Sequence, residues 1–302
     1  MRTRAFLLSP SLICFLVLWS AQPSTAQKIS DSYALHDRNQ LFAKFVEIPG
    51  AERLGSDQCQ ACHEQPAKNF RRSAHGQQSL QCEDCHGAGS LHLTSEKHGQ
   101  IKKFRELKAE EANGACLSCH ADHEQLQNWS SGAHQSHNVR CIDCHKAHAA
   151  ETTLATRRQQ NEACSSCHRK QEAEGRLPYH HPVREAKMSC ADCHDPHGGT
   201  AANNLRASNL NDLCFQCHAE YQGPFTFQHA PVVESCTKCH TSHGSMQRSL
   251  LAVSQPTLCL QCHAGHHNGS GIPLLNGCTS CHSSIHGTDI PSATGGSVFM
   301  DK

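Results

Sequence analysis

Twenty of the chain's 21 cysteines stand in ten copies of one pentapeptide, C-x-x-C-H. In order these are CQACH (59–63), CEDCH (82–86), CLSCH (116–120), CIDCH (141–145), CSSCH (164–168), CADCH (190–194), CFQCH (214–218), CTKCH (236–240), CLQCH (259–263) and CTSCH (278–282). Two thiols three residues apart, followed at once by an imidazole, form the attachment signature of c-type haem. The thiols bond the vinyl-derived carbons of one haem, and the next residue turns a ring nitrogen to its iron. Structural zinc also uses C-x-x-C pairs, but it has no need of His at the following position each time. A disulfide scaffold has no use for that His either. A thioredoxin-like pair comes once on a βαβ frame, not ten times.

The covalent sites are therefore Cys59 and Cys62, Cys82 and Cys85, Cys116 and Cys119, Cys141 and Cys144, Cys164 and Cys167, Cys190 and Cys193, Cys214 and Cys217, Cys236 and Cys239, Cys259 and Cys262, and Cys278 and Cys281. Their proximal iron ligands are His63, His86, His120, His145, His168, His194, His218, His240, His263 and His282. Sixteen of the 26 histidines remain, enough to give each iron a second one. Methionine cannot serve generally, because beyond the leader only Met188, Met246 and Met300 are present. Ten bis-His haem c groups are the expectation, with lower potentials than a Met/His pair gives.

Position selects the distal set. His75, His134 and His229 each stand seven residues before the first Cys of the next motif. His180 in "YHHPV" matches His229 in "QHAPV" when the Pro-Val pairs are aligned. His148, His197 and His243 follow a proximal His by three residues, with His92 and His286 somewhat later. The last unit offers His266 or His267, and the reading takes His267. His36, His98, His123, His137, His181 and His266 are spare. His148 cannot reach the iron of His145 from the opposite face across about 10 Å of extended chain, so it is assigned to a neighbouring haem. Glycines after several candidates (Gly76, Gly198, Gly244, Gly287) let backbone approach closely, which the reading attributes to the porphyrin.

These positions define a repeat: motif, linker with His, motif, trailing His. Five dihaem units follow, at about 59–98, 116–148, 164–197, 214–243 and 259–286, within a cytochrome domain over 59–287. Repeats of this length signal a quasi-linear array rather than one globule. Hydrophobic residues make up 37% of the chain and aromatics 5%, against roughly 45–50% apolar in ordinary domains. A core of aliphatic side chains would be thin, so the haems must supply the apolar interior, and the polypeptide alone should be largely unfolded. The expected fold class is a multihaem cytochrome c: short α-helices and coil around a line of ten haems, with little or no β-structure. Helical spacing of Ile101, Phe104 and Leu107 predicts a helix within 99–114, and 39–48 reads as another.

At the N-terminus, "MRTR", the apolar "AFLLSPSLICFLVLW" and the small-residue "SAQPSTAQ" read as a signal peptide over 1–26, cleaved after Ala26. Ser9, Pro10 and Ser11 interrupt the apolar run, which falls short of the ~20 residues a spanning helix needs. Cys14 follows Ile13 rather than a small residue, against lipidation. Residues 27–58 form an N-terminal segment and 288–302 a flexible tail. Losing Arg2 and Arg4 takes 27 basic side chains to 25, against 27 acidic ones, and no basic block suggests nucleic acid.

Ten motifs on a chain of this length, with "CEDCHGAGSLH", "HHPVREAKMSCADCHDPHGG" and the closing "CTSCHSSIHG", resemble the decahaem MtrA/PioA/DmsE family from Cys59 to Gly287. The resemblance implies an electron conduit on the periplasmic side of the outer membrane. It also implies three kinds of partner: an enclosing β-barrel porin, periplasmic donor or acceptor cytochromes, and an outer-surface multihaem cytochrome or terminal reductase. The "HAGHH" run of the last unit departs from the pattern and leaves its distal ligand open. A multihaem reductase is the competing class, and a soluble periplasmic shuttle or a cytochrome filament a third. Catalysis at haem needs an open or weakly held iron, whereas here histidine suffices to close all ten, and no motif has Lys in place of the proximal His.

Overall fold

The computed structural model describes residues 45–95, 100–149, 154–264, 277–280 and 282–290. Residues 1–44 and 291–302, Cys281, His266 and His267 lie outside the described residues, and with them the expected leader, most of the expected N-terminal segment and the expected tail.

Each motif is one helical turn, and its spacing is the cause. The amide of the closing His donates to the carbonyl of the first Cys, at 2.9 Å for His63 to Cys59, 2.8 Å for His145 to Cys141 and 3.0 Å for His194 to Cys190. Residues three apart then share a face of the turn, so both thiols point one way. The C-x-D-C-H variants add a cap. Asp84, Asp143 and Asp192 accept from the amides of Gln81, Arg140 and Ser189 at 2.7, 2.8 and 2.8 Å, meeting one donor that the helix start leaves open.

Helices are otherwise short. The longest are Glu64–Arg72, Ala109–His120 and Arg157–Ser165. The only sheet among the described residues pairs β1 (Tyr179–His180) antiparallel with β2 (Gly244–Ser245). The chain thus folds as short helices and coil, with almost no β-structure, and the C-x-x-C-H pairs make it a multihaem c-type cytochrome fold. Buried hydrophobic side chains among the described residues are few: Phe45, Val46, Ala67, Ala112 and Trp129. No large side chain among them is fully buried.

One predicted helix moves. Residues 101–107 form turns, and the helix begins at Ala109. The reason is tertiary: the Lys102 amide donates to His86 O at 2.9 Å, Nδ1 of His86 donates to Lys102 O at 2.7 Å, and the Phe104 ring lies edge-on to His86. Phe104 packs on a proximal histidine instead of joining a helical stripe. Of the helix expected over 39–48, only 45–46 are helical within the described residues, and 47–50 leave it.

Two motifs close the same loop. Cys193 O accepts from Arg206 N at 3.0 Å, and Cys239 O from Ala252 N at 2.8 Å. Between them, Asn203 and Asn204 in one loop, and Ser249 and Leu250 in the other, take left-handed φ of 52–57°. That conformation costs roughly 1–2 kcal/mol for most residues and less for Asn. It turns the carbonyls of Asn203 and Ser249 toward the rings of His194 and His240, at 2.9 and 2.7 Å.

Candidate haem-binding sites

Nine of the ten proximal histidines face one other histidine across a nearly constant gap. Ring centroids lie 5.8–6.4 Å apart for His63 with His92, His86 with His148, His120 with His75, His145 with His197, His168 with His134, His194 with His243, His218 with His181, His240 with His286 and His263 with His229. Other ring contacts scatter more widely, from Tyr221 with His286 at 4.3 Å and His120 with His123 at 4.7 Å to Trp129 with His197 at 6.4 Å. A bond of about 2.0 Å from each ring nitrogen to a metal separates two centroids by about 6 Å. The gap fits one iron atom. For the tenth, His282, both candidate partners lie outside the described residues.

Outer-shell contacts fix which nitrogen is free. Nδ1 of His86, His134, His181, His194, His229 and His240 each donates to a backbone carbonyl, of Lys102, Pro196, Ser242, Asn203, Ile285 and Ser249, at 2.7–3.1 Å. Such a bond locks the tautomer, leaves Nε2 to the metal and raises its basicity. Burial holds the rings of His120, His145, His148, His197, His229 and His286 below the usual imidazole range, with neighbouring histidines adding to it. Ligation needs the neutral ring, so burial favours the binding form.

One assignment is corrected. His181, not His180, faces His218. Both nitrogens of His180 are taken by the protein: Nδ1 donates to Leu177 O at 2.6 Å, and Nε2 lies 3.2 Å from Glu185. A backbone register carries the point. His134, His181 and His229 bond the carbonyls of Pro196, Ser242 and Ile285, which immediately precede His197, His243 and His286. These three linker histidines thus interlock with the trailing histidine of the following unit. The glycines after those trailing residues receive a different explanation as well. A Cβ on Gly198, where φ is +116°, or on Gly244 would overlap the carbonyls of Asn128 and Glu174. The close approach is to polypeptide of the preceding unit rather than to the porphyrin.

The thiols form a continuous series. First cysteines of the paired motifs hydrogen-bond or interact as Cys59 with Cys82, Cys116 with Cys141, Cys164 with Cys190, Cys214 with Cys236 and Cys259 with Cys278. In the bare polypeptide the bond from Cys164 lowers Cys190 to about 7. Second cysteines link one pair to the next: Cys85 with Cys119, Cys144 with Cys167, Cys193 with Cys217 and Cys239 with Cys262. Motif order in the chain is therefore order in space. Between the seventh and eighth motifs a cavity of about 510 Å³, lined by Phe215, Tyr221, Phe225, Val232 and His286, has the size and aromatic walls of an organic cofactor site.

A structural residue escaped the sequence reading. Asn113, Asn161 and Asn211, three residues before a first Cys, each accept the amide of the first Cys of the next motif, Cys141, Cys190 and Cys236, at 2.8–3.0 Å. Their side-chain amides donate to carbonyls in the intervening linker, of Val139, of Val183 and Met188, and of Val232 and Val233. Ser56 does the same for Cys82 with its hydroxyl. The recurring N-x-x-C-x-x-C-H was the available signal.

Comparison with known proteins agrees with this architecture. A family model described as the doubled CXXCH motif matches residues 134–173, 180–223 and 229–268. The chain is 35% identical over 280 residues to the multiheme cytochrome MtrA of Shewanella baltica (strain OS185), covering 83% of this chain and 84% of that protein. With its C-x-x-C-H turns and paired histidines, the chain belongs to the MtrA-like family of multihaem c-type cytochromes, which are electron-transfer proteins.

Proposed function

We propose that the chain carries ten covalent haems, each held by two histidines, and conducts electrons along them in the order of the motifs. The carrying observation is the unbroken series of neighbouring, electrostatically interacting cysteines from Cys59 to Cys278. Haem iron between two imidazoles supplies reversible one-electron chemistry. The residues around it hold both axial positions: proximal His63, His86, His120, His145, His168, His194, His218, His240, His263 and His282, and distal His92, His148, His75, His197, His134, His243, His181, His286 and His229 with His267 for the last. The domain divides into five dihaem units between residues 59 and 287.

The setting follows from resemblance and physics together. We place the mature chain in the periplasm after removal of residues 1–26, at the outer membrane, inside a β-barrel porin that joins periplasmic cytochromes to an outer-surface multihaem partner. No described helix is long and apolar enough to cross a membrane. Polar backbone exposed to hydrocarbon costs several kcal/mol per unsatisfied group, so a barrel must provide the lipid-facing surface. Reconstitution tests this. Liposomes holding an enclosed acceptor should be reduced only when cytochrome and barrel are both present. Equal reduction by the cytochrome alone, or no association with any barrel, returns the chain to the periplasm as a soluble shuttle.

A further inference from the structure

Among the described contacts, seven paired histidines place Nδ1 within hydrogen-bond distance of an oxygen, and six of those oxygens are neutral backbone carbonyls. The seventh is not. Nδ1 of His243 lies 3.1 Å from Oε2 of Glu174. We propose that Glu174 is a positioning residue that lowers the reduction potential of the sixth haem in the line, the one attached at Cys190 and Cys193.

The chemistry gives the sign. A carboxylate accepting the imidazole proton pulls that ring toward imidazolate, making Nε2 a stronger donor. A stronger donor and a nearby negative charge both favour the ferric over the ferrous iron. His194, on the other side of the same gap, is backed only by Asn203 O, so the asymmetry belongs to Glu174. Two other carboxylates stand beyond hydrogen-bond distance: Asp195 and Glu220 lie 3.7 Å from Nδ1 of His197 and His218. The side chains of Glu174 and His243 are 31% and 42% exposed, and Lys170 Nζ lies 3.8 Å from Oε1 of Glu174; solvent and this ammonium attenuate the charge, while the Oε2 contact to Nδ1 remains.

The contact is held from behind. Glu174 O packs on Gly244 so closely that a Cβ there would overlap it, and His180 pairs with Gly244 in the two-stranded sheet. Backbone on both sides thereby fixes the distance between Glu174 and His243. A lowered sixth site would stand as a step in the middle of the line, the last of its neighbours to accept an electron and a point that sets throughput.

The inference rests on His194 and His243 sharing an iron, and the experiment separates the two. Full-length holoprotein carrying Glu174→Gln, with haem content verified by intact mass, is titrated potentiometrically beside wild type. One haem-equivalent should shift to higher potential, with the others unmoved. The ferric electron paramagnetic resonance signal of one haem should shift with it. Glu172→Gln removes an equal charge two residues away, where the carboxylate pairs with Arg169 and Arg176, and should move nothing. No shift in Glu174→Gln, or an equal shift in Glu172→Gln, overturns the proposal. A His243→Met variant with unaltered spectra would instead overturn the shared iron on which it rests.

Discussion

His180 and His181 show what a single residue can hide. Adjacent and chemically identical, they are separated only by register, and one hydrogen bond to Ser242 O selects the second. Aligning on Pro-Val pointed to the first because "QHAPV" carries one residue more between His and Pro than "HPV" does. His181→Ala should leave the haem at Cys214 and Cys217 with one axial ligand, read as a new high-spin ferric signal of one haem-equivalent. His180→Ala should leave every haem low-spin and cost its hydrogen bond to Leu177 O and its partly exposed pair with Glu185, the latter the kind worth about 0–1 kcal/mol. Equal spectra for the two variants would reject the assignment. The proximal set was legible because covalent attachment fixes the spacing. Which haem each distal histidine faces was not legible, since partners come from other units, as with His134 and Pro196, 62 residues apart.

At the scale of elements, the turns are set by their motifs, while the packing between turns rests on single side chains. Asn161 makes three bonds that tie one motif to the next through the linker. Asn161→Ala strands a part-buried amide and two carbonyls, which costs about 1–3 kcal/mol. A lower guanidinium midpoint of the holoprotein, with faster amide exchange at Cys190, is the expected outcome. Glu83 is 2% exposed and accepts from the amides of Leu54, Gly55 and Gly89, each at 2.9 Å. Burial alone would raise its pKa, but these three donors and Arg53 hold the carboxyl below the usual carboxylate range. A depressed folded value means the stabilisation is complete above the unfolded value of about 4.3 and disappears as pH falls through the folded one. Protection of those three amides should persist at neutral pH and collapse on acidification. Glu83→Gln should weaken it already at neutral pH. Neither role was legible, because an Asn or Glu near a motif looks like any polar surface residue until its partners are placed.

The whole molecule is less divisible than its repeat suggests. Matching windows of the doubled motif run from an even-numbered motif to the next odd one, whereas the linkers pair odd with even, and the thiol contacts serve both phases equally. Histidine pairing explains why neither phase marks a module. Linker histidines reach forward, with His75 facing His120, His134 facing His168, His181 facing His218 and His229 facing His263. Trailing histidines reach back, with His148 facing His86, His197 facing His145, His243 facing His194 and His286 facing His240. Among the described pairs, only the first closes within its own unit, through His92. A repeat period can be read from sequence, but such threading cannot, because it is a property of two neighbours at once. It has a sharp consequence. Dividing the chain after Ala207 separates His194 from His243 and His181 from His218, and breaks no other pair. The N-terminal piece, residues 27–207, should hold six haems of which one, at Cys190 and Cys193, is high-spin. The C-terminal piece, residues 208–302, should likewise show one high-spin haem, at Cys214 and Cys217. Co-expressed pieces that assemble should return both to low spin together, since each supplies the ligand the other lacks. Independent dihaem modules would give pieces with no high-spin haem at all, and that result would break the interlocked reading.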